Sequence, residues 1–234
     1  MPADARQERV VVGFHVGTPT ASLALCTLAD ARSLAVIEFH EERRLHRYLT
    51  RALGHLLDVG GVEPEQIAAI GVGRGPGAFT GLRVGLSAIA GLRQVWSVPC
   101  YGMSSLEALA LGLSEEERPV LALMDARKDQ LYVGLYGPQQ DGRRPPIEQD
   151  ACINKGQLTT WLDKLGPGVI CGRGAQAWAE LSLAHCHPDA RVITDPMAAP
   201  AGPAIARMAQ ACFNSGEPGQ QDALAPVYLR SAVA

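Results

Sequence analysis

Apolar positions in the first forty residues fall into runs of strand length. "VVVGFHV" (10–16), "TASLALCTL" (20–28) and "SLAVIEFH" (33–40) are separated by turn-prone or polar residues, and predict three strands in a meander. The period then changes. Leu45, Tyr48, Leu49, Ala52, Leu53, Leu56 and Leu57 recur at helical spacing over 41–59, while Arg43, Arg44, Arg47 and Arg51 lie off that stripe. Gly60 and Gly61 supply a stop. "QIAAIGVGR" (66–74) reads as a strand, followed by a glycine-rich loop and a helix over 79–97.

From about residue 104 the grammar repeats. "SSLEALALGL" is a short helix with Glu107 three after Ser104, as in a capping box. "PVLALMDAR" and "QLYVGLYG" are strands joined by a polar turn, and "IEQDACI" is a third. "KGQLTTWLDKL" predicts a helix, and "GVICGRG" a strand running into another glycine turn. A helix over 201–216 starts near Pro203 and stops at Gly216, and the tail after it has no helical period. Strand–strand–strand–helix–strand–helix, read twice, predicts two related α/β halves. The boundary falls near residue 103, giving an N-terminal half over 1–103 and a C-terminal half over 104–234. The last helix is free to pack back on the first half.

At 234 residues, 47% hydrophobic and 19% charged, the composition is that of an ordinary globular protein. The net charge of −3 gives no global basic footprint for nucleic acid. No apolar run approaches the roughly 18–20 residues of a bilayer span, and the first residues lack an uninterrupted signal-type apolar stretch. Six cysteines without a C-x-x-C pair read as reduced thiols of the cytoplasm.

The loop "GVGRGPGAFTGLRVG" (71–85) occupies the place of a phosphate loop. A Walker A loop needs a lysine that is missing here, and Pro76 removes one backbone donor. In the dinucleotide fingerprint G-x-G-x-x-G the third glycine does not fall in place, and no acid follows about 20 residues on. Two readings stay open. One is a tight turn whose glycines permit close packing. The other is an anion contact through Arg74, Gly75, Gly77, Thr80 near the N-cap, and Arg83. In the following helix, apolar residues from Leu82 to Trp96 spread around the circumference, which predicts burial on more than one side or a face against another protein. Gly81 and Gly85 lie on one face and permit close helix approach.

Other constellations are weaker. "HCH" (185–187) has no spaced partner cluster and reads as a surface loop, so no metal site is expected. Asp125 and Arg127 form either a salt-bridged turn or a substrate contact. No nucleophile elbow or catalytic cysteine context appears, and no catalytic residue is assigned.

"GRGPGAFTGLRVGLSAIAGL" (73–92) closely resembles the signature of the TsaB (YeaZ) family, with Ala78 where Ser is usual. "MSSLEALA", "MDARKDQLYVGLY", "CGRGAQAW" and "APVYLR" resemble further family segments in the right order. These place Asp125, Arg127, Tyr132, Gly172, Gly174, Tyr228 and Arg230 on family motifs. The resemblance implies a two-lobed actin/Hsp70/sugar-kinase-like fold and a role in making N6-threonylcarbamoyladenosine at adenosine 37 of tRNA. It implies a non-catalytic partner of the TsaD transferase, working with the TsaE ATPase, able to form a homodimer, and meeting tRNA only through the complex. By position it carries the partner contact to Leu45, Leu49, Leu53, Leu82, Leu86 and Ile89. No cofactor is expected; ATP or ADP at the partner interface is the nucleotide reading left open.

One departure bears on chemistry. The family opening resembles I-L-A-I-D-T, and this chain has His15 at the Asp and Val16 at the Thr. In related kinase-like folds that Asp helps hold metal and phosphate. Imidazole does not replace a carboxylate as a Mg²⁺ ligand. The alternatives are an ATPase or kinase of the same fold using the 73–81 loop, and a glycoprotease-like peptidase.

Overall fold

The computed structural model describes residues 8–18, 20–39, 45–113, 116–193 and 201–230. Expectations for Arg43 and Arg44 lie outside these residues, as do the side chains of Leu45 and Arg47. The chain divides into two compact units, Met1–Ser105 with Ala201–Val227, and Leu106–Pro200 with Tyr228–Ala234.

The first unit is built on five strands: β1 (Val10–His15), β2 (Ala21–Thr27), β3 (Ser33–Phe39), β4 (Ile67–Gly73) and β5 (Cys100–Met103). Their order is β3-β2-β1-β4-β5. β1–β2 and β2–β3 pair antiparallel, whereas β1–β4 and β4–β5 pair parallel. Side-chain alternation gives the sheet two faces. On one, Val10, Val12, Phe14, Leu23, Leu25, Ile70 and Val72 join the apolar stripes of α1 (Leu45–Gly60) and α2 (Phe79–Trp96). On the other lies α7 (Ala201–Asn214), at backbone contact. A Cβ on Gly13 would lie 2.7 Å from the Ala206 nitrogen, and one on Gly71 2.7 Å from the Ile205 carbonyl oxygen. The two glycines, and the small residues of α7, are what let helix and sheet approach this closely.

Helix ends follow the punctuation in the sequence. Gly61 takes φ +64°; Val62 N–H donates to Leu57 O and Gly61 N–H to Asp58 O, the pattern of a Schellman cap. Gly216 repeats it on α7, with Glu217 N–H on Cys212 O and Gly216 N–H on Phe213 O.

The second unit carries β6 (Val120–Arg127), β7 (Gln130–Tyr136), β8 (Pro146–Asn154), β9 (Val169–Cys171) and β10 (Arg191–Val192). The order is β10-β9-β6-β7-β8, with β6–β7 and β7–β8 antiparallel and β6–β9 and β9–β10 parallel. This is the topology of the first sheet repeated, a meander of three strands extended by two parallel ones, and it is the doubling that the strand grammar predicts. α4 (Leu158–Leu165) covers one face through Leu158, Trp161, Leu162 and Leu165. Leu106 and Ala110 of α3 (Ser105–Leu111) pack on the other, against Val120, Ala122 and Cys171. Arg144 is fully buried, and its guanidinium donates to the carbonyls of Leu113, Glu116, Arg118 and Gly137. The Arg143 guanidinium forks onto Glu107 at 2.7 and 2.9 Å.

Four elements were not legible in the hydrophobic pattern: β5, β10, and the helices α5 (Arg173–Ala177) and α6 (Ala179–His185).

Candidate functional site

The loop between β4 and α2 is built on backbone contact with the β1–β2 turn. Gly17, at φ +82°, accepts a hydrogen bond from Ala78 N–H at 2.6 Å. A Cβ on Gly77 would lie 2.6 Å from Gly17 O, one on Gly81 3.0 Å from Gly17 Cα, and one on Gly85 2.7 Å from Val16 Cγ2. The glycine face of α2 therefore meets Val16 and Gly17, not a second helix. The helix is N-capped by Ala78 in extended geometry with no side-chain cap, two residues before Thr80, which is exposed within the first turn.

The rest of the loop is tied down on its other side. Arg74 N–H donates to Met103 O at 3.0 Å, Ser105 N–H to Gly75 O at 2.8 Å, and Val227 N–H to Arg74 O at 2.7 Å. Gly75 takes φ +125° with its Cα against the Val227 carbonyl. The Arg74 guanidinium pairs with Asp222 at 3.3 Å. The Arg83 guanidinium lies 3.9 Å from the centre of the Phe79 ring. Both arginines of the anion reading are thus engaged within the chain. Gly17, Met103, Ser105, Asp222 and Val227 are the loop's partners, and the sequence tied none of them to it. Gly17 alone carried a signal, as a glycine directly after a strand.

His15 ends β1, opposite Gly73 in register. It is 3% exposed, and burial alone pushes its imidazole down to about 4, so it is neutral near pH 7.

The proposed partner-facing side chains need correction. Leu49, Leu53, Leu82, Leu86 and Ile89 are all buried and belong to the core that holds α1 and α2 on the sheet. A helical stripe of leucines looks the same in sequence whether it faces a sheet or a partner. What α2 exposes is Phe79, Thr80, Arg83, Ser87, Gly91, Gln94 and Val95. Val95 is 79% exposed. Among the described side chains of α1, Tyr48 and Val59 are the large exposed apolar ones. A shallow groove of about 320 Å³ runs beside α2, lined by Arg83, Leu86, Ser87, Ala90, Leu224 and Pro226.

In the second unit the motif residues gather at one end of the sheet. Asp125 accepts from Arg127 N–H at 2.8 Å, and Arg127, Lys128 and Asp129 all take positive φ. The Arg230 guanidinium donates to Ala126 O at 2.7 Å. Burial raises the Tyr132 phenol, and the charge of Arg230 opposes that rise. Gly172 and Gly174 back onto the Leu123 backbone, where a side chain would collide. Tyr228 is exposed. His185 closes α6 rather than lying in a loop, and His187 Nδ1 accepts from Asp189 N–H at 3.1 Å. Among the described residues no three His, Cys, Asp or Glu side chains gather as metal ligands, and no helix is long and apolar enough to cross a membrane.

Comparison with known proteins gives this geometry a family. The model of TsaD, tRNA N6-adenosine threonylcarbamoyltransferase, matches residues 38–158. The tRNA threonylcarbamoyladenosine biosynthesis protein TsaB of Escherichia coli is 30% identical over 91% of this chain and 95% of its own length. The protein of the same name from Bacillus subtilis is 31% identical over 49% of this chain and 48% of its own. YeaZ from Pseudomonas aeruginosa superposes with a TM-score of 0.74 at 25% identity, covering 94% of this chain and all of that one. Likeness over nearly the full length of both chains, with the doubled sheet topology, leads to one assignment: the chain belongs to the TsaB (YeaZ) family.

Proposed function

We propose that this protein acts in N6-threonylcarbamoyladenosine modification of tRNA as the non-catalytic, cytoplasmic partner of a TsaD-like transferase, with a TsaE-like ATPase joining them. The observation that carries the reading is the end-to-end likeness to the E. coli TsaB sequence. The chemistry of the loop agrees with it. Its glycines are consumed by packing on Gly17, its arginines are held by Asp222 and Phe79, and a neutral imidazole ends β1. None of these favours a nucleotide phosphate at this loop, so the ATPase or kinase alternative has less behind it.

The contact surface we assign is the outer face of α2 with the exposed residues of α1. Small residues there, Ser87, Ala90 and Gly91, permit close helix approach, and Phe79 and Val95 supply apolar area. The same face would serve a homodimer when the partner is absent. Co-expression with the TsaD homologue of the same cell, followed by size-exclusion chromatography, is expected to give one co-eluting complex. Separate elution at every concentration tried would contradict the assignment.

A further inference from the structure

The hairpin that joins β6 to β7 works against its own backbone preference. Arg127 faces Gln130 across the pair, so Lys128 and Asp129 are the two turn residues, at φ +52° and +57°. Turns with positive φ at both central residues favour asparagine and glycine, and a long side chain there is held in a sparsely populated region. Arg127 is left-handed as well, at φ +63°, where the register of the pair shifts. Arg127 and Lys128 are both exposed at this tip. Lys128 has no ion-pair partner among the described residues. Glycine would take this turn without strain, so a lysine there is accounted for by its charge and not by the fold.

More cations meet at the same end of the sheet. Gln130 pairs with Asn154 in register, and its Nε2 donates to Asn154 Oδ1 at 3.2 Å; Lys155 follows directly, at the end of β8. Lys155 is exposed, with Nζ 5.6 Å from the centre of the Trp178 ring. The Arg230 guanidinium reaches Ala126 O, and its charge opposes the rise that burial imposes on the Tyr132 phenol and the Cys152 thiol, which face each other on β7 and β8. Four cations thus lie across three adjacent strands, about 10 Å at the usual strand spacing. Two exposed carboxylates, Asp125 and Asp129, stand among them, and Asp125 accepts from the Arg127 N–H. At the opposite end of the sheet the cations are neutralised or buried. Arg118 forks onto Glu116, Arg143 forks onto Glu107, and Arg144 is enclosed by carbonyls.

We propose that this end of the second unit's sheet contacts RNA directly, with Arg127, Lys128, Lys155 and Arg230 on backbone phosphates and Tyr228 against an unpaired base. Cations set beside an exposed aromatic ring are the means by which protein surfaces hold single-stranded RNA, and Tyr228 stands exposed two residues before Arg230. The whole chain carries −3, so the attraction is local to this end. The inference rests on the proposed role in tRNA modification only for the choice of RNA as the polyanion.

Fluorescence anisotropy with a labelled, unmodified tRNA transcript tests it on the full chain alone. No TsaD homologue is present, so failure of the partner role would leave this measurement untouched. Binding is expected at low salt and should fall linearly on logarithmic axes as salt rises. Lys128→Glu combined with Lys155→Glu should weaken it tenfold or more and lower the salt slope by about 2, with circular dichroism unchanged. Lys128→Gly should weaken it several-fold while the melting midpoint stays level or rises, because the turn is relieved. Arg191→Glu, a like change of charge on exposed β10 at the opposite end, should keep the affinity within about twofold. Absence of binding at low salt, equal affinity of the double variant and the unmodified chain, or an equal loss in Arg191→Glu would overturn the proposal. So would displacement of the RNA by polyglutamate as readily as by unlabelled RNA of the same charge, which would assign the surface to an acidic protein.

Discussion

An alanine methyl at position 77 would sit 2.6 Å from the Gly17 carbonyl oxygen, and that oxygen is fixed by the Ala78 N–H. Backbone cannot give way as the end of a side chain can. Gly77→Ala should therefore destabilise the fold by about 1–3 kcal/mol, the usual cost of overpacking, read as a lower denaturant midpoint. An unchanged midpoint would mean that the loop is not packed as described. His15 makes a second prediction at this scale. Its pKa is about 4 in the folded chain against an ordinary 6.5, so between these values the unfolded chain binds more protons. Stability is fully present above pH 6.5 and falls as the pH drops towards 4, by about 3 kcal/mol in all from this group. Urea titrations at several pH values should show that slope, and His15→Asn should flatten it; identical slopes in the two proteins would rule the effect out.

At the scale of elements, α2 explains both how much the sequence disclosed and where it stopped. Its length and start were legible because a strand, a glycine turn and a long apolar run leave little choice. Its orientation was not, because alanine, glycine and valine serve core and surface equally well. Leu82, Leu86 and Ile89 face the sheet, Gly81 and Gly85 face the β1–β2 turn, and Ser87 and Val95 face outwards. Leu86→Asp should accordingly unfold the chain, by putting a charge into a core position, whereas Val95→Asp should leave its circular dichroism and melting unchanged. If the outer face carries the partner contact, Val95→Asp should also weaken co-elution with the TsaD homologue by tenfold or more. The reverse pattern would exchange the two faces. β5 escaped detection for a different reason. Its four residues, Cys100–Met103, are too few to show a period, and only their pairing with β4 makes them a strand. α5 and α6 were hidden by the glycines of "CGRGAQAW", which read as a turn because Gly172 does take φ +94°, although helix begins directly after it.

At the scale of the whole molecule, one topology is used twice, and α7 returns from the end of the chain to complete the first of the two units. Gly13 and Gly71 are the imprint of that return, since no shorter-range feature of β1 or β4 needs them bare. The doubling was readable from strand grammar, and the candidate site in part: the glycine loop was placed correctly, but its partners at Gly17, Met103, Ser105, Asp222 and Val227 lie far from it in sequence. A chain ended before Ala201 should lose hydrogen-exchange protection throughout β1 and β4, because one face of their sheet would be stripped; retained protection would show that α7 is dispensable. The central claim is functional, and reconstitution addresses it most directly. Unmodified tRNA would be incubated with the cognate TsaD and TsaE homologues, threonylcarbamoyl-adenylate and ATP, with and without this chain, and the modified nucleoside quantified by mass spectrometry. A partner of the TsaB type predicts modification with the chain present and little or none without it; undiminished modification in its absence would contradict the assignment.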